Sequence, residues 1–306
     1  LKKIIFCLLA ALFAAGSFST EIANATEPLT TAAPAGISGA GTEKNMNENQ
    51  IVERVDHILL MPGAKNARAL FDFFSGDLGL PVAWPYKSFG EFASGAVYFG
   101  NVSVEIIQMD GKIDGGSKIA GIAFEPSVKT EAVISALKNK KIPYEGPVPF
   151  EINMGTSKKN LWTSTYLKDI LPGSQVFFCE YHMINPPDER KKLNDKFAAC
   201  GGGSLKIKKI REIVIAHKNL ASSVPKWNEL AGPAAANAEF RLAFKEGPAI
   251  KFIAGKNDSI ISLIVEADSP DKIEQVLKEK KLAGTKTEHG IELNKEKTFG
   301  VEIIIE

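Results

Sequence analysis

The chain holds four histidines: His57, His182, His217 and His289. His57 opens the apolar run VDHILL. Two glutamates lie inside apolar runs of strand character, Glu105 in NVSVEIIQM and Glu180 in QVFFCEYHM. A carboxylate buried in a strand is unstable unless it is paired or bound to a cation. His57 therefore has two readings, as a cation ligand or as a polar residue at a strand start. A metal-free polar pocket in which His57 pairs with Glu105 and Glu180 is the competing account of the group. Side chains alternate across a strand, so Glu180 and His182 are expected on one face. His182 is then either a further ligand or a histidine at the rim. Cys179 is expected on the opposite face, packing toward helices. His217 and His289 fall in expected turns, as solvated side chains. No G-x-S-x-G elbow, phosphate-binding loop or H-E-x-x-H is present.

The elements that must position these residues repeat four times. The first unit runs from the strand RVDHILLM through the helix NARALFDFFSGDLGL, with Ala67, Leu70, Phe71 and Phe74 at helical spacing, to the strands ASGAVYFG and NVSVEIIQM. The second is IAGIAFEP, the helix KTEAVISALKNKKI, KNLWTSTYL and QVFFCEYHM. The third is IREIVIA, NLASSVPKWNELAG, FRLAF and AIKFIAG; the fourth is ISLIVEAD, PDKIEQVLKEKKL and FGVEIIIE. Strand, helix, then strands is an α+β pattern. One such unit cannot cover its own sheet, so the units are expected to pair. That leaves two alternatives, pairing within one chain or between two chains as a homodimer. Trp84, Phe92, Trp162 and Tyr166 are candidates to line an apolar pocket.

Around these units lie segments of another kind. LKK followed by IIFCLLAALFAA reads as the basic and apolar parts of a secretory signal peptide over residues 1–25, with an A-x-A site ending at Ala25. Export to the periplasm or outside the cell follows, with no membrane anchor after cleavage. Residues 26–50 are Ala, Thr, Gly, Pro and polar residues without periodicity, as in a disordered linker. A second linker is expected over 187–206, where a charged run ends in CGGGS. The units then divide into domains over 51–186 and 207–306. An oxidising compartment permits a Cys179–Cys200 disulfide, with two free thiols as the alternative. The formal net charge is only +1 across 306 residues, which leaves no basic field for nucleic acid.

The stretches VDHILL, DLGLPVAWP, FASGAVYFGNVSVEI and GIAFEP resemble the vicinal oxygen chelate superfamily, which contains glyoxalases, bleomycin resistance proteins and extradiol dioxygenases. The resemblance covers residues 51–306. It implies four βαβββ modules paired into two cupped domains, a glyoxalase-like branch with two tandem domains. It also implies metal ligands on the first and last strands of each module. Carried onto this chain, those positions are His57 and Glu105 in the first module and Glu180 in the second, with His182 as a possible fourth. Gly121 stands where many members have histidine. In the second domain the matching positions are Glu212, Lys251, Ser262 and Glu302. An acid–lysine–acid ion pair and a degenerate packing role are expected there.

One histidine and two carboxylates suit a divalent ion such as Zn²⁺, Mn²⁺, Fe²⁺ or Ni²⁺. The resemblance then implies a metal-dependent lyase or isomerase acting on a small oxygenated substrate. The ion would serve as Lewis acid, with Glu105 or Glu180 as catalytic base. The alternative is a non-catalytic module of the same fold that binds or sequesters a small molecule.

Overall fold

The computed structural model describes residues 50–63, 65–90, 92–109, 117–154, 157–232, 236–237 and 240–306. The expected signal peptide, and all of the expected tether except Gln50, lie outside the described residues. The first unit is β1 (Val52–Met61), α1 (Ala67–Asp72) running into a π-helical turn, β2 (Val82–Ser88), β3 (Phe92–Tyr98) and β4 (Ser103–Met109). The second is β5 (Lys118–Pro126), α2 (Thr130–Asn139), β6 (Tyr144–Met154), β7 (Ser157–Leu167) and β8 (Gln175–Tyr181). After α3 (Pro186–Cys200) comes the third unit: β9 (Ile207–His217), α4 (Leu220–Ala231), β10 (Ala236–Asn237), β11 (Arg241–Leu242) and β12 (Ala249–Ala254). The fourth is β13 (Ser259–Ala267), α5 (Pro270–Glu279), β14 (Ala283–Thr287), β15 (Gly290–Leu293) and β16 (Ile303–Ile305).

All these strands belong to one 16-stranded sheet. Units pair within the chain, β1 antiparallel to β5 and β9 antiparallel to β13. In each unit the last strand returns parallel to the first: β4 on β1, β8 on β5, β12 on β9, β16 on β13. Among the described residues the two halves of the sheet join through a single bridge, Ile260 to Ile119.

The first half of the sheet is curled. Leu59, Phe92, Ile107, Ala123, Trp162 and Phe177 come from six different strands and meet in one buried cluster on the concave face. The other face carries the main core. Leu70 and Phe71 of α1, Val133 and Leu137 of α2, Trp227 and Leu230 of α4, and Leu277 of α5 pack there against Ile58, Leu60, Ile213 and Ile215. In α2 the buried pair lies four residues apart, one face of a helix.

Every first strand carries a bulge at the same place. The residues left unpaired at that place are Asp56 in β1, Ala120 in β5, Arg211 in β9 and Ile261 in β13. An extra residue breaks the alternation of side chains and re-aims those beside it.

The expected linker contains a helix. Pro186 at its first turn, Asp188 and Glu189 beside it, and Gly201 at φ 57 after its end are the start and stop signals of α3. The last of the three glycines that follow docks against the first unit. A Cβ on Gly203 would lie 2.1 Å from the Leu78 carbonyl oxygen, and Ser204 N–H donates to that same oxygen at 2.8 Å. Cys179 is buried and Cys200 half-buried, and both are free thiols.

Candidate functional site

A chain of polar side chains crosses the concave floor of the first half. The bulge at Asp56 lets its carboxylate turn back onto the neighbouring ring: His57 Nδ1 lies 2.7 Å from Asp56 Oδ2. Tyr181 of β8 donates its hydroxyl to the same oxygen at 2.8 Å. On the other side of the ring, His57 Nε2 stands 3.4 Å from Glu105 Oε2. Ser94 of β3 donates to Glu105 Oε1 at 2.5 Å, and Trp84 Nε1 lies 3.4 Å from that serine's Oγ.

Neither His57 Nε2 nor Glu105 Oε2 makes a hydrogen bond, although both side chains are only 1% exposed. Buried polar atoms are nearly always satisfied, so two orphans facing each other form an unsaturated pair. Aromatic edges surround them. The Trp84 and Phe177 rings are centred 6.1 and 5.8 Å from the His57 ring, both edge-on. Half-buried Met61, Phe89, Phe150, Ile152 and Tyr166 pack against the same cluster. All four aromatic pocket candidates from the sequence are thus in or beside this floor.

Protonation follows from these contacts. Burial pushes the His57 imidazole down, but the hydrogen bond and charge of Asp56, with Glu105 behind it, outweigh burial and hold it above its ordinary value. Burial raises the Glu105 carboxyl; His57 and Ser94 oppose that only in part. Asp56 is also pushed up by burial, yet His57, Tyr181 and Arg54 together hold it low.

The other expected site residues lie elsewhere. Glu180 faces the helix side. Its Oε2 accepts from the Thr130 backbone N–H at 2.8 Å and from Thr130 Oγ1 at 2.5 Å, and Lys129 Nζ is 3.0 Å from Oε1. The carboxylate therefore caps α2 and is not brought to His57. Cys179, expected on the helix side, is in the concave cluster instead. His182 Nε2 lies 2.8 Å from Thr163 Oγ1, at the end of β8.

Strand register explains the displacement. In the first module Leu59 pairs with Glu105. In the second, Ala123 pairs with Phe177 and Gly121 with Gln175. The positions equivalent to His57 and Glu105 are therefore Gly121 and Phe177, three residues before Glu180. By the same register Val214 pairs with Lys251 and Ile264 with Ile304, so Ile304 replaces Glu302 as the matching position of the fourth unit.

Glu105 and His57 are donor types that divalent ions accept, and a carboxylate on the far nitrogen is the usual support of a metal-bound imidazole. The set stops at two. Gly121 offers no side chain, Phe177 offers a ring, and Glu180 and His182 are engaged elsewhere. Among the described residues no group of three or more His, Cys, Asp or Glu is arranged to hold a metal ion. The residues present do not complete the ligand set expected from the sequence.

Among its described residues the second half holds no comparable pair. Glu212 lies 3.0 Å from Arg241 Nε and 3.7 Å from Arg211, so its cations are arginines and not Lys251. Glu302 has Lys295 at 3.9 Å. His217, expected in a turn, is buried at the end of β9. Asp258 Oδ1 lies 2.9 Å from its Nδ1, and Trp227 donates to its Nε2 at 3.0 Å. Both ring nitrogens are satisfied. His289 is half-buried in the turn before β15, beside Glu288.

Asp56, Ser94 and Tyr181 were not among the expected site residues. Asp56 adjoins His57, and alternation alone sends its side chain to the other face; only the bulge reverses that.

Solved structures share this fold. A hypothetical protein from Staphylococcus aureus matches with a TM-score of 0.54 at 16% identity, over 83% of this chain and 98% of that one. Homoprotocatechuate 2,3-dioxygenase from Brevibacterium fuscum matches at 0.51 and 12% identity, over 84% of this chain and 72% of its own. A 2,3-dioxygenase from Pseudomonas sp. KL28 matches at 0.51 and 10%, over 84% and 92%. At these identities the likeness shows the fold, that of the extradiol dioxygenases. No family model and no curated protein matches the chain.

Proposed function

We propose that this chain, with the fold of the extradiol dioxygenases, is a small-molecule-binding protein whose ligand is a small aromatic molecule carrying a hydroxyl. The observation that carries this is the facing pair of unsatisfied buried atoms, His57 Nε2 and Glu105 Oε2. A protonated imidazole and an ionised carboxylate present one donor and one acceptor. A neutral imidazole and a protonated carboxyl present one acceptor and one donor. A hydroxyl, which gives one hydrogen bond and takes others, satisfies both states. The ring that carries it would lie among Trp84, Phe177 and the half-buried aromatics. Ligand sites of this composition, mostly apolar with a few convergent polar groups, are the common kind. One structure of the Brevibacterium fuscum dioxygenase holds HPCA, which is consistent with small-ligand binding on this fold.

Binding belongs to the domain over residues 51–186. The domain over 207–306 packs and shapes it. The leader-like segment over 1–25 favours a site of action in the periplasm or outside the cell. Because His57 and Glu105 are buried, entry would require half-buried side chains of this cluster, such as Tyr166 beside Phe177, to shift.

Phenol is the test probe, followed by quenching of Trp84 and Trp162 fluorescence. Saturable quenching is expected in the wild type. His57→Ala and Glu105→Gln should each weaken it about tenfold or more, the loss of one charged hydrogen bond. Quenching that is unchanged in both variants excludes this site. Elemental analysis of protein purified without chelator separates the other reading. A stoichiometric divalent metal that His57→Ala removes would favour the metal-dependent lyase or isomerase instead.

A further inference from the structure

We propose that Asp56 and Tyr181 are positioning residues that fix the tautomer of His57, so that Nε2 is the ring atom offered to the ligand. The significance of this inference rests on the binding reading above, but its geometry does not. Asp56 Oδ2 sits 2.7 Å from His57 Nδ1. An ionised carboxylate only accepts, so the proton of a neutral ring lies on Nδ1 and the lone pair on Nε2. An unsupported imidazole has no such constraint; the partner of one nitrogen sets the state of the other.

Asp56 alone is a weak anchor. It occupies a bulge, where no strand partner holds its backbone in register. Tyr181 supplies the missing restraint from a strand 125 residues away in sequence, donating at 2.8 Å to the very oxygen that His57 contacts. The two contacts converge on that oxygen and hold the carboxylate against the ring nitrogen. Charged groups beside this unit come from four elements: Glu105 on β4, Arg54 on β1, Glu125 on β5 and Arg190 on α3. Arg54 donates to the Asn101 carbonyl at 2.5 Å and to Glu246 at 2.7 Å, and Arg190 pairs with Glu125. Neither arginine competes with His57 for the contact at Asp56 Oδ2.

The test reads the ring itself. Full-length protein labelled with ¹⁵N-histidine is examined ligand-free by long-range ¹H–¹⁵N correlation above the imidazole titration. Wild-type His57 should show a protonated, pyrrole-type Nδ1 and a pyridine-type Nε2. Asp56→Ala should move the proton largely to Nε2. Tyr181→Phe keeps the ring packing and should give a mixture of the two forms, with phenol quenching weakened about three- to tenfold, roughly one hydrogen bond. A pyrrole-type Nε2 in the wild type, or a wild-type pattern in Tyr181→Phe, overturns the proposal. Should Asp56→Ala fail to fold, Tyr181→Phe decides alone. If phenol does not bind the wild type, the binding reading fails while the tautomer spectra still settle the role of Asp56 and Tyr181.

Discussion

Glu180 shows how a residue with the look of a ligand serves another purpose. Three hydrogen-bonding groups hold its carboxylate at the start of α2: the Thr130 N–H, the Thr130 hydroxyl and Lys129. Those N-terminal N–H groups have no partner within the helix, and an anion there also meets the positive end of the helix dipole. Burial pushes the carboxyl up, but Thr130 and Lys129 outweigh it and hold it below 4.5. A depressed acid binds its proton more weakly folded than unfolded. Its contribution is therefore full above about pH 4.5 and fades as pH falls through the lower folded value. Lys129 is exposed and its share is screened by solvent. Glu180→Gln should thus cost about 1 kcal/mol at pH 7, measured by urea unfolding, with the gap narrowing as pH falls below the ordinary carboxylate range. Phenol quenching should be unaffected. A Glu180→Gln variant as stable as wild type at pH 7 would contradict the capping role.

The repeated unit was legible from local pattern, and its weak strands were not. The strands around His57 and Glu105 hold short apolar runs, and the helices keep their spacing. The edge strand β6 was missed because YEGPVPFEINM carries Gly146, Pro147 and Pro149, which argue against a strand unless it lies at a sheet edge. β2, with Pro85, was missed for the same reason. The floor of the site was half legible. His57 and Glu105 come from one module whose strands lie close in sequence. Glu180 was misplaced because β8 takes its register from β5, about fifty residues away, and a shift of an odd number of residues turns the other face inward. Gly121 marks the same limit. A Cβ there would lie 2.3 Å from the Gln175 carbonyl oxygen and 2.8 Å from Gln175 Cβ, so β8 fills the space where a side chain would stand. Gly121→Ala should destabilise by about 1–3 kcal/mol, an overpacking cost, read as a lower urea midpoint. Its backbone is not in the left-handed region, so strain in φ is not the cause. An alanine variant of unchanged stability would show that β5 and β8 can separate without penalty.

At the scale of the whole molecule, two halves with two such bulges each share one core. The halves meet through a single strand bridge, yet Leu70, Val133, Trp227 and Leu277, one from each helix that covers the sheet, lie in the same buried cluster. Polar contacts add to the seam. The Asn101 side chain both donates to and accepts from the Ile210 backbone, at 2.9 and 3.0 Å, and Arg54 reaches Glu246. The strands that carry His57 and Glu105 rest their backs on this core, through Ile58, Leu60, Val104 and Ile106. The geometry of the site is therefore tied to a half that holds none of its residues. The chain has three tryptophans, two in the first half and Trp227, fully buried, in the second. A Trp227→Phe variant reports on the first half alone; a variant with Trp84→Phe and Trp162→Phe reports on the second. In each variant, the urea transition seen by fluorescence should coincide with that seen by circular dichroism, as one cooperative unit requires. A fluorescence midpoint that departs from the circular dichroism midpoint of the same variant would mean that the halves unfold separately, and that the core between them is a contact of two domains instead of their common centre.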